Sequence, residues 1–422
     1  MTKTHKHWRL SKWLTIGIMT PLVSAYSFSL DLYVPLLPTI QTALKVSRMD
    51  MQLTNSLFML FCGFGQLVFG PLSDRLGRRS VLFGSLLITL IANLICFSTE
   101  IYQFFLLGKV LQAVGAAGTN LTCFATVRDI YYRPEKSTEM FSYLNIANSV
   151  SSIIAPTLGT KLGSLFGWSS IFVALFIYAV VALMSCYWLF AETAPNSQPA
   201  HRHVLFNYWR VFTHINYQVY TLPAAVGIGS FFAYYSISPY LYQQTYGLSA
   251  MHYSVLYGSA GLTFFIGSYT CGRLVNRLGI VGTLVIGQFF HAFGCLLVLL
   301  SGWLPLSLQL SVLHSGILLI IWGSSHMIVS GIGGTMAPFQ DIAGSAFALV
   351  SAYKFLMCYI LGEVVMALYD HTAMPLGWML LVLNLCSLCV VYGFRHRLVQ
   401  INPNKQVVVA LTEMAKSINN TI

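Results

Sequence analysis

Residues 65–79 read GQLVFGPLSDRLGRR, and residues 267–279 read GSYTCGRLVNRLG. Gly65, Gly70, Leu72, Arg75, Leu76 and Gly77 recur as Gly267, Gly272, Leu274, Arg277, Leu278 and Gly279, all at an offset of 202 residues. Single glycines in apolar helices coincide often by chance, but six matches at a common spacing mark an internal repeat. Each copy sits where one apolar run ends and the next begins, so the two copies run in the same direction through the same surroundings. Two parallel halves of one bundle are the simplest structure with that property.

The runs around the repeat decide what kind of bundle it is. The chain of 422 residues is 56% hydrophobic and only 8% charged, against roughly 25% charged residues in a soluble domain. A helix needs about 20 apolar residues to cross about 30 Å of hydrocarbon. Twelve runs qualify: 13–37, 52–72, 80–98, 102–126, 138–161, 169–190, 218–243, 251–273, 281–301, 311–334, 343–368 and 375–395. Runs of this length are twice a barrel strand, so an all-α polytopic membrane protein is expected. The polar stretch 191–217, which carries ETAPNSQPAHRH, divides six spans (1–190) from six (218–395) and is read as a cytoplasmic linker in which His201, Arg202 and His203 are solvated, with 396–422 left as a cytoplasmic tail able to form a short amphipathic helix. The first run is too long for a signal-peptide core and lacks a small-residue cleavage site, so it is read as a retained helix.

Charge sets the orientation. With the N-terminus placed in the cytoplasm, the two tails and the connections on that side hold 18 of the Lys and Arg residues, while the opposite side holds only Lys45, Arg48 and Lys161. The positive-inside rule therefore predicts both termini in the cytoplasm. The net charge of +11 is accounted for by topology, and a nucleic-acid partner is not expected. The nine cysteines fall within apolar runs, where a free thiol behaves as a small hydrophobe, so neither disulfide nor metal site is expected, and no cofactor.

The segment GPLSDRLGRR (70–79) resembles the loop signature between helices 2 and 3 of the major facilitator superfamily. The resemblance implies the twelve-helix fold of that family and a cytoplasmic gate, with Gly70 allowing close helix approach. Asp74, Arg75, Arg78, Arg128 and Asp129 are the gating candidates, able to pair across the cytoplasmic seam; Arg75 or Arg78 bridging to Asp129 or Asp341 is the favoured pairing. Plain retention of positive charge would explain the arginines but neither Asp74 nor the glycines. The second copy has Asn276 in place of Asp74, so the gate is asymmetric.

A narrower resemblance rests on DLYVPLLP (31–38), GQLVFGPLSDRLGRR (65–79), ATVRDIY (125–131) and APTLG (155–159), with weaker matches in SPYLYQQTYGLS (238–249) and MAPFQDIAGSAFAL (336–349). Together these resemble the bicyclomycin/chloramphenicol-resistance branch of drug:proton antiporters. SSIIAPTLGT (151–160) stands where antiporters carry a Gly-rich helix-5 motif; Pro156 should kink the helix and Gly159 permit close contact, although Ala155 and Thr160 replace two expected glycines.

Asp31 is the lone carboxylate of the first run, and Lys109, in LGKVLQAVGAAG (107–118), is the only other charge deep in the first six spans. Buried ions of this kind should pair or shift toward neutrality. A proton on Asp31 would then bias a two-state equilibrium, which makes Asp31 and Lys109 the candidates for proton coupling. Relatives usually carry Arg at the Lys109 position, and Lys loses both the planar fork and some of its hold on a proton. A snorkelling structural carboxylate is the plain alternative for Asp31.

Lys354 lies mid-span in SAYKFLMCYILGE, and Glu363, nine positions on, is about half a turn out of phase. Lys354 is therefore expected to face a central cavity, to pair with Asp31 or Asp341, or to snorkel. Tyr33, Tyr234, Tyr235 and Lys354 are the candidates for a substrate cavity between the halves; interfacial anchoring equally explains the outer tyrosines Tyr240 and Tyr242. His326 could titrate, but a packing role is the simpler reading; His291 and His314 receive no role. The functional expectation is a bacterial inner-membrane, multi-pass exporter of a small organic molecule in exchange for protons, working by alternating access as a single chain. Its rivals are a uniporter or proton symporter for an anionic metabolite or siderophore, suggested by the two lysines, and a receptor or enzyme on the same scaffold. The last is disfavoured because no nucleophile–base pair, phosphate loop or metal ligand set is present.

Overall fold

A computed structural model describes residues 11–131, 134–193, 204–339 and 342–394. Thirteen α-helices carry the described chain: α1 (Lys12–Asp31), α2 (Leu37–Leu44), α3 (Arg48–Leu76), α4 (Arg78–Ser98), α5 (Tyr102–Ile130), α6 (Pro134–Phe166), α7 (Ser170–Leu189), α8 (Val204–Phe212), α9 (Ile215–Tyr240), α10 (Ala250–Ser301), α11 (Leu306–Met336), α12 (Ala343–Ala367) and α13 (Met374–Phe394). Among the described residues, nine helical stretches are long and apolar enough to cross a membrane. One of them is α10, whose 52 residues would reach about 78 Å at 1.5 Å per residue, more than twice the hydrocarbon thickness. Inside it Gly279 breaks the helix with φ 72° and ψ 178°, so α10 is two spans. With the 33-residue α6 and the 26-residue α9, which are long enough but more polar, twelve crossings result.

Gly279 ties the repeat to geometry. Its counterpart Gly77 separates α3 from α4 with φ 90° and ψ 151°, in the same left-handed half of backbone space. Side chains other than glycine's are strained there, so the repeat preserves a glycine at the turn that reverses the chain. The other expected role failed: a Cβ built on Gly70 meets nothing within 4 Å. Gly65 is the residue of that set that lets helices approach, its Cβ position falling against Ala117 of α5.

The first span differs from its sequence reading. Its apolar run covers 13–37, yet α1 stops at Asp31 and a 3-10 turn, Val34–Leu36, precedes α2. Pro35 has no N–H to offer the Asp31 carbonyl, and Pro38 has none for Val34, so the regular ladder cannot continue. The linker also contains more order than expected, since α8 lies within 191–217. The cluster His201–His203, Asp341 and the tail lie outside the described residues.

Contacts between the first six spans and the last six concentrate on α3 with α12, α6 with α10, and the broken segment of the first span with α9. Nearly every side chain of α9 from Asn216 to Tyr240 is buried, which explains why its tyrosines and serines are tolerated in a membrane helix: it has almost no lipid-facing side. At the end expected to be external, Gln243 donates to the Pro35 carbonyl (2.8 Å), Thr160 and Ser254 hydroxyls meet at 2.6 Å, and Arg48 reaches His371 (3.2 Å). That end of the seam is closed.

Candidate functional site

The break in the first span creates the site. A helix that ends in a low-dielectric interior leaves its last carbonyls without intrahelical donors, and unpaired polar groups there are costly. Here the Leu32 N–H takes the Phe28 carbonyl, the Lys109 ammonium donates to the Ser29 carbonyl (3.1 Å), and the Tyr235 hydroxyl donates to the Leu30 carbonyl (3.2 Å). A cation at a helix C-terminus also sits favourably in the helix dipole. Lys109 also donates to Gln112 Oε1 (2.6 Å), and Gln112 Nε2 donates to Asn93 Oδ1 (2.8 Å). The ammonium lies 4.0 Å from the Tyr33 ring centroid and 4.9 Å from that of Phe58, within cation–π range.

Asp31 is buried and points elsewhere. Tyr257 of α10 donates to its Oδ1 at 2.9 Å, and the Ser152 hydroxyl of α6 also lies against the carboxylate. Among the described residues no ion pair joins Asp31 to Lys109; the pairing open to them from sequence is absent. The reason is helical phase. Asp31 is about 200° around α1 from Ser29 at 100° per residue, so α1 presents one residue toward α5 and the other toward α6 and α10. Lys109 satisfies the helix end and the acid faces the seam.

Around the carboxylate the aromatic residues form a continuous wall. Tyr257 stacks on Tyr234 (centroids 6.3 Å apart, planes 13° apart) and meets Tyr235 edge-on at 6.2 Å, while Tyr235 stacks on Phe232 at 5.2 Å. Tyr33, Tyr234 and Tyr235 thus belong to one buried neighbourhood around the end of α1. The hydroxyls of Tyr33, Tyr234 and Tyr240 and both side-chain atoms of the buried Asn55 have no hydrogen-bond partner among the described residues. Buried polar atoms are rarely left so, and each of these is available to a polar ligand or water. Lys354 stands apart: its ammonium is 5.9 Å from the Phe347 ring, and no described carboxylate pairs with it.

The helix-5 motif does bring helices into contact. A Cβ on Gly159 would overlap the Leu32 carbonyl, so α6 lies directly on the broken turn that follows Asp31. Pro156 sits inside α6, and its carbonyl accepts from both Thr160 (2.9 Å) and Ser254 (3.3 Å). Thr160, which replaces an expected glycine, joins α6 to α10.

A family model described as Major Facilitator Superfamily matches residues 19–362. The chain belongs to that superfamily. Similar curated proteins include a "Chloramphenicol resistance protein" of Pseudomonas aeruginosa, 29% identical over 404 residues and covering 93% of this chain and 92% of the relative. "Multidrug resistance protein D" of Escherichia coli (strain K12) is 26% identical over 338 residues, 79% of this chain and 83% of its own length. A "Bicyclomycin resistance protein homolog" of Haemophilus influenzae is 21% identical over 384 residues, 90% and 94% respectively. This major facilitator protein is thus a multi-pass membrane protein with bacterial drug-resistance relatives, and the inner membrane is its place.

The superfamily's loop signature folds into a compact ion cluster. Arg78, the first residue of α4, donates to Asp129 Oδ2 (2.9 Å), pairs with Asp74 Oδ1 (2.6 Å) and donates to Ser73 Oγ (2.9 Å). The Arg78–Asp129 bridge was among the favoured pairings, and the four residues of these contacts all lie in the first six spans. Arg75 and Arg128 are exposed, with the Arg128 guanidinium beside Gly344 at the start of α12. Glu192, read from sequence as the start of a linker, accepts from the backbone N–H groups of Arg78 (2.8 Å) and Arg79 (3.1 Å). A carboxylate on those orphan donors completes the helix start.

Proposed function

We propose that the chain is a proton-coupled exporter of small organic molecules, including drugs, in which Asp31 is the proton-carrying group. The carrying observation is the hydrogen bond from Tyr257 to Asp31, because it joins a titratable acid of the first six spans to a donor of the last six. A proton on the carboxylate turns the ionised acceptor that Tyr257 uses into a neutral one, so protonation weakens this contact. Hydrogen bonds to an ionised carboxylate are about twice as strong as neutral ones. Closure of this seam therefore depends on proton occupancy, as coupling requires.

In this reading the two six-helix sets, 1–190 and 218–395, are the bodies that rock, with both termini cytoplasmic and the external end closed in the present state. Lys109 holds the broken helix end that presents Asp31 and keeps Tyr33 in place. The unpartnered hydroxyls of Tyr33 and Tyr234, with Asn55, supply polar contacts for the transported molecule. Asp74, Arg78 and Asp129 hold the cytoplasmic ends of α3, α4 and α5 as one unit so that the gate moves as a body. Drug export is supported by the names of the relatives. The reading is tested by reconstitution in vesicles with an imposed pH gradient and a panel of cationic, neutral and anionic compounds. Uphill substrate movement opposite to the proton supports it. Movement in the same direction, or movement of anions alone without a proton, favours the rival reading suggested by Lys109 and Lys354.

A further inference from the structure

The nine-residue helix α8 turns its apolar side outward. On a helical wheel, Phe212, Leu205, Trp209 and Phe206 fall within about 120° of one another at 100° per residue, and all four are exposed, Leu205 at 83% and Trp209 at 65%. The opposite side is the docked one. Val211 is buried in a cluster with Tyr217, Phe339, Ala346 and Val350, and the Tyr208 hydroxyl donates to the Leu67 carbonyl of α3 (3.4 Å). The helix therefore touches both α12 and α3, one from each half, while exposing a face more apolar than the one it buries. In water such a face is an association liability.

We infer that this face lies in the membrane interface, seated among phospholipid headgroups and upper acyl chains. The occupant follows from three observations. First, the rest of the chain is embedded in a bilayer, and α8 is docked on two of its spans, α12 and α3, with the apolar arc left exposed. Second, Trp13 at the start of α1 and Trp188 (77% exposed) at the end of α7 mark the same side of the bundle, and exposed tryptophans at span ends anchor at the headgroup level. Third, the composition is that of an interfacial helix, with Leu, Phe and Trp on one arc and Arg210 at its edge. The linker is then a strap held by the membrane rather than a solvated tether. It spans the seam at the cytoplasmic end and has to slide or re-dock whenever α3 and α12 separate there.

The test uses the full-length protein in phosphatidylethanolamine/phosphatidylglycerol vesicles. Cys386 and Cys389, the exposed cysteines, are replaced by Ser, and one nitroxide-labelled cysteine is introduced at Leu205, Trp209, Phe212 or, as a water-exposed control, Glu100. Dissolved oxygen should relax the three α8 labels more than a water-soluble nickel complex does, with the order reversed at position 100. Nickel accessibility equal to the control would overturn the proposal. So would spin–spin broadening, which indicates a second copy on this face, or exclusion of both reagents, which indicates a protein cover. A measurement on the unsubstituted protein guards against misfolded variants: a phosphatidylcholine with a diazirine near its headgroup should label the 204–212 peptide within about twofold of peptides from transmembrane segments. No adduct there, with the transmembrane peptides labelled, refutes the membrane seat.

Discussion

Tyr257 and Asp31, 226 positions apart in sequence, meet across the seam at 2.9 Å, with the phenol donating to the carboxylate. The contact is between halves, buried, and made by a side chain whose charge changes on proton binding. Replacing Tyr257 by Phe removes the donor and keeps the ring packing. Loss of a hydrogen bond to a charged group costs about 1.5–3 kcal/mol, and a donor to the ionised carboxylate favours that form. Tyr257→Phe should therefore shift the pH profile of substrate transport toward higher pH while leaving the folded protein intact in gel filtration. An unmoved profile would mean that the contact is incidental to coupling.

Asp31→Asn tests the acid itself. Asn still accepts from Tyr257, but as a neutral group like the protonated acid, and the side chain no longer titrates. Proton-driven uphill transport should vanish, whereas downhill exchange of substrate persists at a reduced rate. Uphill transport at the native rate in vesicles would remove Asp31 from the coupling role.

Lys109 is expected to behave as a structural cation first. Lys109→Met leaves the Ser29 carbonyl and Gln112 Oε1 without their donor, at about 1–3 kcal/mol for each buried group. Thermal unfolding in detergent should move down by several degrees, and transport should fall with it. A variant as stable as the native protein but inactive would instead give Lys109 a direct part in proton or substrate handling.

Gly159 is tightly confined. Its hydrogen faces the Leu32 carbonyl with no room for a methyl, and over-packing of this kind costs about 1–3 kcal/mol. Gly159→Ala should displace α6 from the broken turn and lower transport more than expression, since the same contact positions Asp31. Normal transport by this variant would show that the turn relaxes freely.

How much of this could be read from residues alone depends on what leaves a local signature. The repeat was legible because reversing the chain at Gly77 and Gly279 demands a backbone that favours glycine. Asp31 and Lys109 were legible because a charge in an apolar run is conspicuous. Their partners were not: Tyr257 is one tyrosine among 23, and its donor role exists only once α10 lies against α1. The break at Asp31 was hidden because prolines at 35 and 38 are compatible with a kinked but continuous span. Glu192 sits beside a polar, proline-bearing stretch whose composition reads as linker, although its carboxylate caps α4. The apolar exposed face of α8 was in the sequence as Leu205, Phe206, Trp209 and Phe212, but nine residues are too few to stand out against twelve spans.

The last prediction concerns the cytoplasmic ion cluster, where exposure ranks the two acids. The Asp129 side chain is 15% exposed and that of Asp74 34%, so solvent screens the Arg78–Asp74 pair more and it contributes less. Removing one partner of the better-buried pair leaves Arg78 with only the exposed acid and Ser73, whereas removing Asp74 leaves the Asp129 bridge standing. Asp129→Asn should therefore slow turnover more than Asp74→Asn does, and Arg78→Lys should resemble Asp129→Asn, because an ammonium cannot span Asp74, Ser73 and Asp129 as the planar guanidinium does. Stopped-flow measurement of substrate release from proteoliposomes orders the three variants. If Asp74→Asn proves the most damaging, the outer acid does more in the cycle than pair with Arg78.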